Sequence, residues 1–373
     1  TGPIGSLHKT GKSARIDDTD LARIQSLEVG HVWVRSGLSG KSMLARVRAT
    51  DSVPEWSTTM RARAAKAFQA SPVHQFSSAA RPEGASVEQP NADLYRQLWS
   101  KDILYAGWLR IKTGNRQSRG FDRVTLEQFG ARIDQELAQL ATELEQHTYR
   151  SRPLRSVRIP KDDGDYRTLR IAAVRDRVVQ AACLQLLEPI FERNFSTASF
   201  AYRHGRSAHH AVALARASIR SGKTWAVTAD IRKCFDSIDH DILLRLMADA
   251  VPDTDMLRLI QHWLTTEVVD FADILPSELG VPQGVAISPL LANIYLDPMD
   301  KEFERSNTSF VRYADDYLVL CGTEAEAQAA LQRMSEFLQG SLHLTLKPAK
   351  TNYGNVHAAH LHRPALQQVD AVA

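Results

Sequence analysis

An α+β fold is predicted, because strand-like and helix-like segments both occur without regular strand–helix–strand alternation. On the strand side stand "TWAVTADI" (Thr224 to Ile231) and "FVRYADDYLVL" (Phe310 to Leu320), rich in β-branched and aromatic residues. The second reads as two short strands with Asp315 and Asp316 at the turn between them. On the helix side, Phe129, Ile133, Leu137, Leu140 and Leu144 recur at steps of four, four, three and four, a single apolar stripe of core packing. Another helix is expected after Asp176, with Val179, Cys183, Leu186 and Leu187 inward. "SPLLANIYLDPMDKEFE" opens a third, with Ser288 as N-cap and Pro289 at the first helical position.

Length and composition frame these elements. The 373 residues suffice for about two or three packed units, and 43% hydrophobic with 24% charged residues is a soluble, globular composition. No apolar run of ~18 residues is present, so no membrane span is expected. Cys183, Cys234 and Cys321 form no CxxC pair, which argues against a zinc site and fits a reducing cytoplasm. The net charge of +3 does not by itself demand nucleic acid. Residues 1–92 differ from the rest: "SSAARPEGASVEQPNAD" (Ser77 to Asp93) is a linker composition, and "HVWVRS" is one strand candidate. Two GKS triplets, at Gly11 and Gly40, fail as phosphate loops, since Ser6 and Arg35 stand where the motif needs glycine.

The chemistry-bearing feature is the Asp315–Asp316 pair. Two like charges at the end of apolar strands repel, and their pKa values rise unless a cation neutralises them. Oxygen-only ligands favour a hard cation such as Mg²⁺. Asp230, at the end of the apolar strand "WAVTA", is the candidate third carboxylate. Asp236, Asp239 and Asp241 read as cap or surface carboxylates, Asp176 and Arg177 as a structural ion pair, and His209 and His210 as packing or surface residues. "HAAHLH" (His357 to His362) reads as a solvated loop.

Six blocks in order then make the chain resemble a reverse transcriptase of the bacterial, group II intron-like lineage. They are "IPKDDGDYRTLRI" with "DRVVQ", "ASFAYRHGRSAHHAV", "ADIRKCFDSI", "GVPQGVAISPLLANIYL", "YADD" and "LTLKPAKT", spread over Ile159 to Thr351. The resemblance implies a right-hand polymerase fold, with an N-terminal extension over 1–92, mainly fingers over 93–215 and mainly palm over 216–373. It implies RNA-directed DNA synthesis from dNTPs on an RNA template and a DNA or RNA primer. Asp230, Asp315 and Asp316 would hold two Mg²⁺ ions, with Mn²⁺ as a substitute. Phe235 would block the ribose 2′-hydroxyl, and Gln283 would contact the nucleotide. Lys161 and Arg167 would grip the triphosphate, and Lys350 would approach the leaving pyrophosphate, with Lys347 competing for that role. Nine Lys or Arg residues against four Asp between Arg150 and Arg177 fit a template and triphosphate channel.

The chain departs from the family pattern at its ends. Asn352 to Ala373 shows no grip motif or helical thumb, so the thumb is expected to be absent or truncated. The N-terminal residues and "YLDPMDKEF" (Tyr295 to Phe303) point to a CRISPR-associated enzyme working with a spacer integrase in spacer acquisition from RNA. The alternatives are an intron-encoded enzyme or a non-catalytic RNA-binding scaffold. An RNA-dependent RNA polymerase is disfavoured by Phe235 and YADD.

Overall fold

The computed structural model describes residues 31–35, 42–46, 91, 93–113, 118–160, 166–270, 273–275 and 279–357, without side chains at 31–35, 42–46 and 273–275. Lys161 and residues 358–373 lie outside the described residues, and with them one triphosphate-gripping candidate and most of the expected truncated end. Strand β1 (His31–Arg35), the one strand candidate upstream, pairs antiparallel with β2 (Ser42–Arg46).

The helical part begins with α1 (Leu94–Leu98), α2 (Lys101–Ile111), α3 (Leu126–Gly130) and α4 (Ile133–Glu145). The stripe expected as one helix is therefore two. Thr125 caps α3 in a reciprocal capping box with Gln128, and the chain breaks after Gly130, whose missing side chain makes room for the Trp108 ring. Phe129 and Leu137, Leu140 and Leu144 still share one core. The hairpin β3 (Leu154–Pro160) and β4 (Tyr166–Ile171) pairs antiparallel, and β3 also runs parallel to β6 (Val268–Asp270), which pairs with β7 (Asp273–Leu275).

The central helix is α5 (Val174–Glu192). It begins two residues before Asp176, and Leu186, expected inward, is only half-buried, whereas Val179, Cys183 and Leu187 are fully buried. Helix α2 lies against it so closely that a side chain at Gly107 would meet the Val178 carbonyl oxygen at 2.5 Å. Asp176 does not pair with Arg177. It accepts from the Tyr149 hydroxyl at 2.7 Å and the Arg152 N–H at 2.9 Å, while Arg177 donates to the Ser118 carbonyl. Burial pushes the Asp176 carboxyl up to about 6, against the pull of those hydrogen bonds.

The second sheet carries the candidate site. Its order is β10 (Asn352–Asn355), β5 (Trp225–Asp230), β9 (Asp316–Cys321), β8 (Ser309–Tyr313), all antiparallel. Period-two alternation sorts its faces. Ala226, Val311, Leu318 and Leu320 pack on α6 (Ala208–Arg220), with Ala211 and Ala215 from that helix. Val227, Phe310, Tyr317 and Val319 join the main core, where α9 (Ser288–Arg305) and α10 (Glu324–Leu342) lie. Helices α7 (His240–Ala248) and α8 (Thr254–Leu264) complete that core. In α9 the N-cap is Ile287 rather than Ser288, which is the first helical residue. The buried Ser288 hydroxyl donates to the Pro282 carbonyl at 2.6 Å and so ties the preceding loop down.

Candidate active site

Register decides where the carboxylates meet. Asp230 is the Cα partner of Asp316 across β5 and β9, so both lie on one face of the sheet. Tyr313 pairs with Asp316 across β8 and β9, which leaves Ala314 and Asp315 as a two-residue hairpin turn. Ala314 takes φ +59, left-handed backbone that costs an alanine about 1–2 kcal/mol. The β8–β9 hairpin thus holds Asp315 on a strained turn beside the Asp230 charge. Burial raises the Asp315 pKa and the charge of Asp230 adds to it, while Lys350 and Arg167 oppose the rise.

The lysine segment is strapped to the same strand end. The Ile231–Leu346 bridge, the Arg232 N–H on the Thr345 carbonyl at 2.8 Å and the Lys347 N–H on the Asp230 carbonyl at 2.8 Å fix its path. It delivers the Lys350 ammonium directly onto Oδ2 of Asp230. Burial lowers the Lys350 pKa, but the hydrogen bond and charge of Asp230, then Asp316 and Asp315, raise it overall. Of the two competing lysines, Lys350 is therefore the one among the carboxylates.

Phe235 sits in a 3₁₀ turn (Cys234–Ser237) and lines a narrow crevice with Asp315 and Asn293. The glutamine loop is sewn to this turn: the Val281 N–H donates to the Phe235 carbonyl at 2.6 Å. Gly280, at φ +85, allows it, since a side chain there would meet Phe235 and Asp236 backbone at 2.8 Å. Half-buried Gln283 follows, its carbonyl accepting from the Arg170 N–H of β4 at 2.7 Å. Arg167, exposed on β4, is close enough for its charge to be felt at Asp315. The fold thus brings Asp230, Asp315, Asp316 and Lys350 together at one end of the sheet, sets Phe235 beside Asp315 with Arg167 near enough to act on its charge, and docks the Gln283 loop against β4 and the Phe235 turn. Asp239 caps α7 by accepting from Asp241 and Ile242 N–H, as a cap carboxylate should, and His209 and His210 are exposed on α6.

Beneath the turn lies a polar cluster that the sequence reading missed. Arg312 and Asp300, both fully buried, share three hydrogen bonds of 2.6–2.9 Å. The same guanidinium donates to Asn293 Oδ1 at 2.8 Å and to the Ala314 carbonyl at 3.2 Å, and the Tyr317 hydroxyl donates to Asp300 at 2.9 Å. A charged residue at an inward position of an apolar strand was the available signal.

Among the described residues, no three His, Cys, Asp or Glu side chains converge tightly enough to form a metal cage. The donor set nevertheless fits a hard cation. It is carboxylate oxygen only, and Asp315 is held beside Asp230 at a cost that a divalent ion would offset.

Residues 159–362 match the family model described as reverse transcriptase (RNA-dependent DNA polymerase). Protein YkfC of Escherichia coli is 31% identical over 290 residues, covering 68% of this chain and 76% of that protein. The group II intron-encoded protein LtrA of Lactococcus lactis is 31% identical over 218 residues, but this chain spans only 36% of its length and 58% of its own. Among solved structures, a chain of a partial Cas6-RT-Cas1–Cas2 complex is similar at 23% identity and a TM-score of 0.42, over 66% of this chain and 42% of that one.

Proposed function

We infer the function from one premise: this chain belongs to the reverse transcriptase (RNA-dependent DNA polymerase) family. It is proposed to add dNTPs to a primer 3′-hydroxyl, directed by an RNA template. The observation that carries this reading is the register that sets Asp230 opposite Asp316, with Asp315 on the adjoining turn. A non-catalytic scaffold has no use for three neighbouring carboxylates, one of them raised in pKa by burial and by the charge of Asp230.

Reverse transcriptases use divalent metal ions, and here Mg²⁺, with Mn²⁺ as substitute, is the proposed ion. Two such ions, held by Asp230, Asp315 and Asp316, would supply Lewis acidity for attack of the 3′-hydroxyl on the α-phosphate and for departure of pyrophosphate. The chain's own residues do the rest. Arg167, with Lys161, holds the triphosphate by charge-assisted hydrogen bonds. Phe235 fills the space of a ribose 2′-hydroxyl. The Gln283 loop, fixed to both β4 and the Phe235 turn, keeps the nucleotide between fingers and palm. Lys350, ion-paired to Asp230, is the cation for the pyrophosphate side.

The proposed partners are an RNA template and a DNA or RNA primer. For setting, we propose a CRISPR-associated enzyme working with a spacer integrase in the cytoplasm. The reading rests on the Tyr295–Phe303 resemblance, and three free, buried thiols fit a reducing compartment. Among the described residues no helix is long and apolar enough to cross a membrane. Similarity to the group II intron-encoded protein LtrA favours an intron-encoded setting instead, and the neighbouring genes separate the two. The activity is tested by primer extension on RNA with Mg²⁺. Asp315→Asn should lower dNTP incorporation by on the order of 10³-fold or more, and near-parental synthesis by that variant refutes the assignment.

A further inference from the structure

Tyr202 belongs to none of the roles above, yet the fold sets it at the site. The segment Ala198–Phe200 lies along β8: Ser199 bridges Arg312 in parallel, the Arg312 N–H donates to the Ala198 carbonyl at 2.8 Å, and the Phe200 N–H donates to the Arg312 carbonyl at 3.0 Å. Three residues beyond the Ser199–Arg312 bridge, the two chains reach Tyr202 and Asp315. Asn293 holds this extension in place by donating to the Ala201 carbonyl at 3.0 Å.

The tyrosine itself is unusual in three ways. It adopts φ +61, a left-handed conformation that a large aromatic residue takes only when its surroundings impose it. It leaves 56% of its surface exposed, although its neighbours Ala201 and Arg203 are buried. It lines the same narrow crevice as Phe235, Ala314 and Asp315. One side chain therefore lies beside both the carboxylate turn and the aromatic gate. Core packing explains none of this, since an exposed ring in strained backbone gains little from burial.

The geometry assigns Tyr202 as a specificity-determining residue that packs against the deoxyribose of the incoming nucleotide, closing with Phe235 the pocket beside Asp315. The assignment rests on the polymerase reading of the site. Arg203, next in the chain, supplies the rigidity: its buried guanidinium is held by Glu192 and by the Ser196 and Ser199 carbonyls, so the backbone at Tyr202 is pinned on its C-terminal side.

The test uses the full chain with Tyr202→Gly, which suits positive φ, and Tyr202→Phe, which keeps the ring. Single-nucleotide incorporation on an RNA template is measured together with primer–template affinity and thermal stability. Tyr202→Gly should raise KM for dNTP by on the order of tenfold, with kcat and primer–template affinity little changed, because ground-state sugar contact is lost. Tyr202→Phe should recover most of that loss. The penalty should shrink with an acyclic nucleoside triphosphate, which lacks the sugar ring. Equilibrium binding of a non-hydrolysable dNTP analogue to parent and Tyr202→Gly gives a readout independent of turnover. Weaker binding by the variant supports the assignment even where the parent chain adds no nucleotide, an outcome that removes the polymerase reading alone. Equal analogue binding, an unchanged KM, or a penalty that persists in full with the acyclic nucleotide overturns the role of Tyr202.

Discussion

Asp300→Asn tests the support beneath the catalytic turn. The parent pair is fully buried, and Arg312 makes three of its hydrogen bonds, at 2.9, 2.9 and 2.6 Å, to the Asp300 carboxylate. The substitution preserves shape but removes the only carboxylate bonded to this guanidinium among the described residues, so a buried cation loses its counter-charge. Breaking a buried pair from one side costs about 3–5 kcal/mol. Against a total stability of roughly 5–15 kcal/mol, that is a large fraction. At about 2–4 °C per kcal/mol for a domain of this size, the midpoint should fall by roughly 6–20 °C. The assay is urea unfolding of parent and variant at fixed pH, with the denaturant slope compared to check that the same surface is exposed. The double variant Asp300→Leu with Arg312→Met should regain part of the loss, because two apolar side chains replace two charges of similar volume. Full recovery is not expected, since Asn293 and the Ala314 carbonyl would still lose their donor at about 1–3 kcal/mol for each buried group left unsatisfied. A single-variant loss under about 1 kcal/mol, the range of an exposed pair, would refute the reasoning. So would a double variant no more stable than the single one.

Further outcomes follow from the same geometry. Asp315→Asn, besides losing activity, should be at least as stable as the parent near pH 7, because burial and Asp230 already disfavour the ionised form; a clearly lower melting temperature contradicts this. Phe235→Ala should raise the ratio of rNTP to dNTP incorporation, and an unchanged ratio makes Phe235 a packing residue only. For pH, the Asp176 carboxyl is raised from 3.8 to about 6, so the folded state binds its proton more tightly than the unfolded chain does. Its contribution is therefore full below pH ~4 and lost as pH rises through about 6, by up to ~3 kcal/mol. Asp176→Asn should flatten that part of the stability–pH profile, and a profile with the parental slope would show that other groups govern it.

Much of the site was legible in the chain itself. Covalent order fixes which residues flank a turn, and apolar strands interrupted by aspartates announce a cost that only a function offsets. Hence the strands around Asp230 and the hairpin carrying Asp315 and Asp316 could be predicted, as could Asp239 as a cap, but the turn falls on Ala314 and Asp315, and Asp316 belongs to the strand. Helix limits were less legible. The stripe from Phe129 to Leu144 keeps its period across a break that Gly130 makes to admit Trp108, and Ser288 has the right chemistry for a cap but spends its hydroxyl on Pro282. Local pattern states a preference, and a distant neighbour decides it.

Everything that depends on register belongs to the tertiary structure. That Asp230 faces Asp316, that Lys350 rather than Lys347 reaches the carboxylates, and that Asp176 binds Tyr149 rather than Arg177 all follow from strand and helix docking between residues far apart in sequence. The same holds for Arg312, which reads as an ordinary charge until Asp300 is seen buried beside it, and for Tyr202, which reaches Asp315 only because its segment runs parallel to β8. The physical reason is that the sequence specifies each group's chemistry and local backbone preference, whereas desolvation and charge–charge energy depend on distances set by packing.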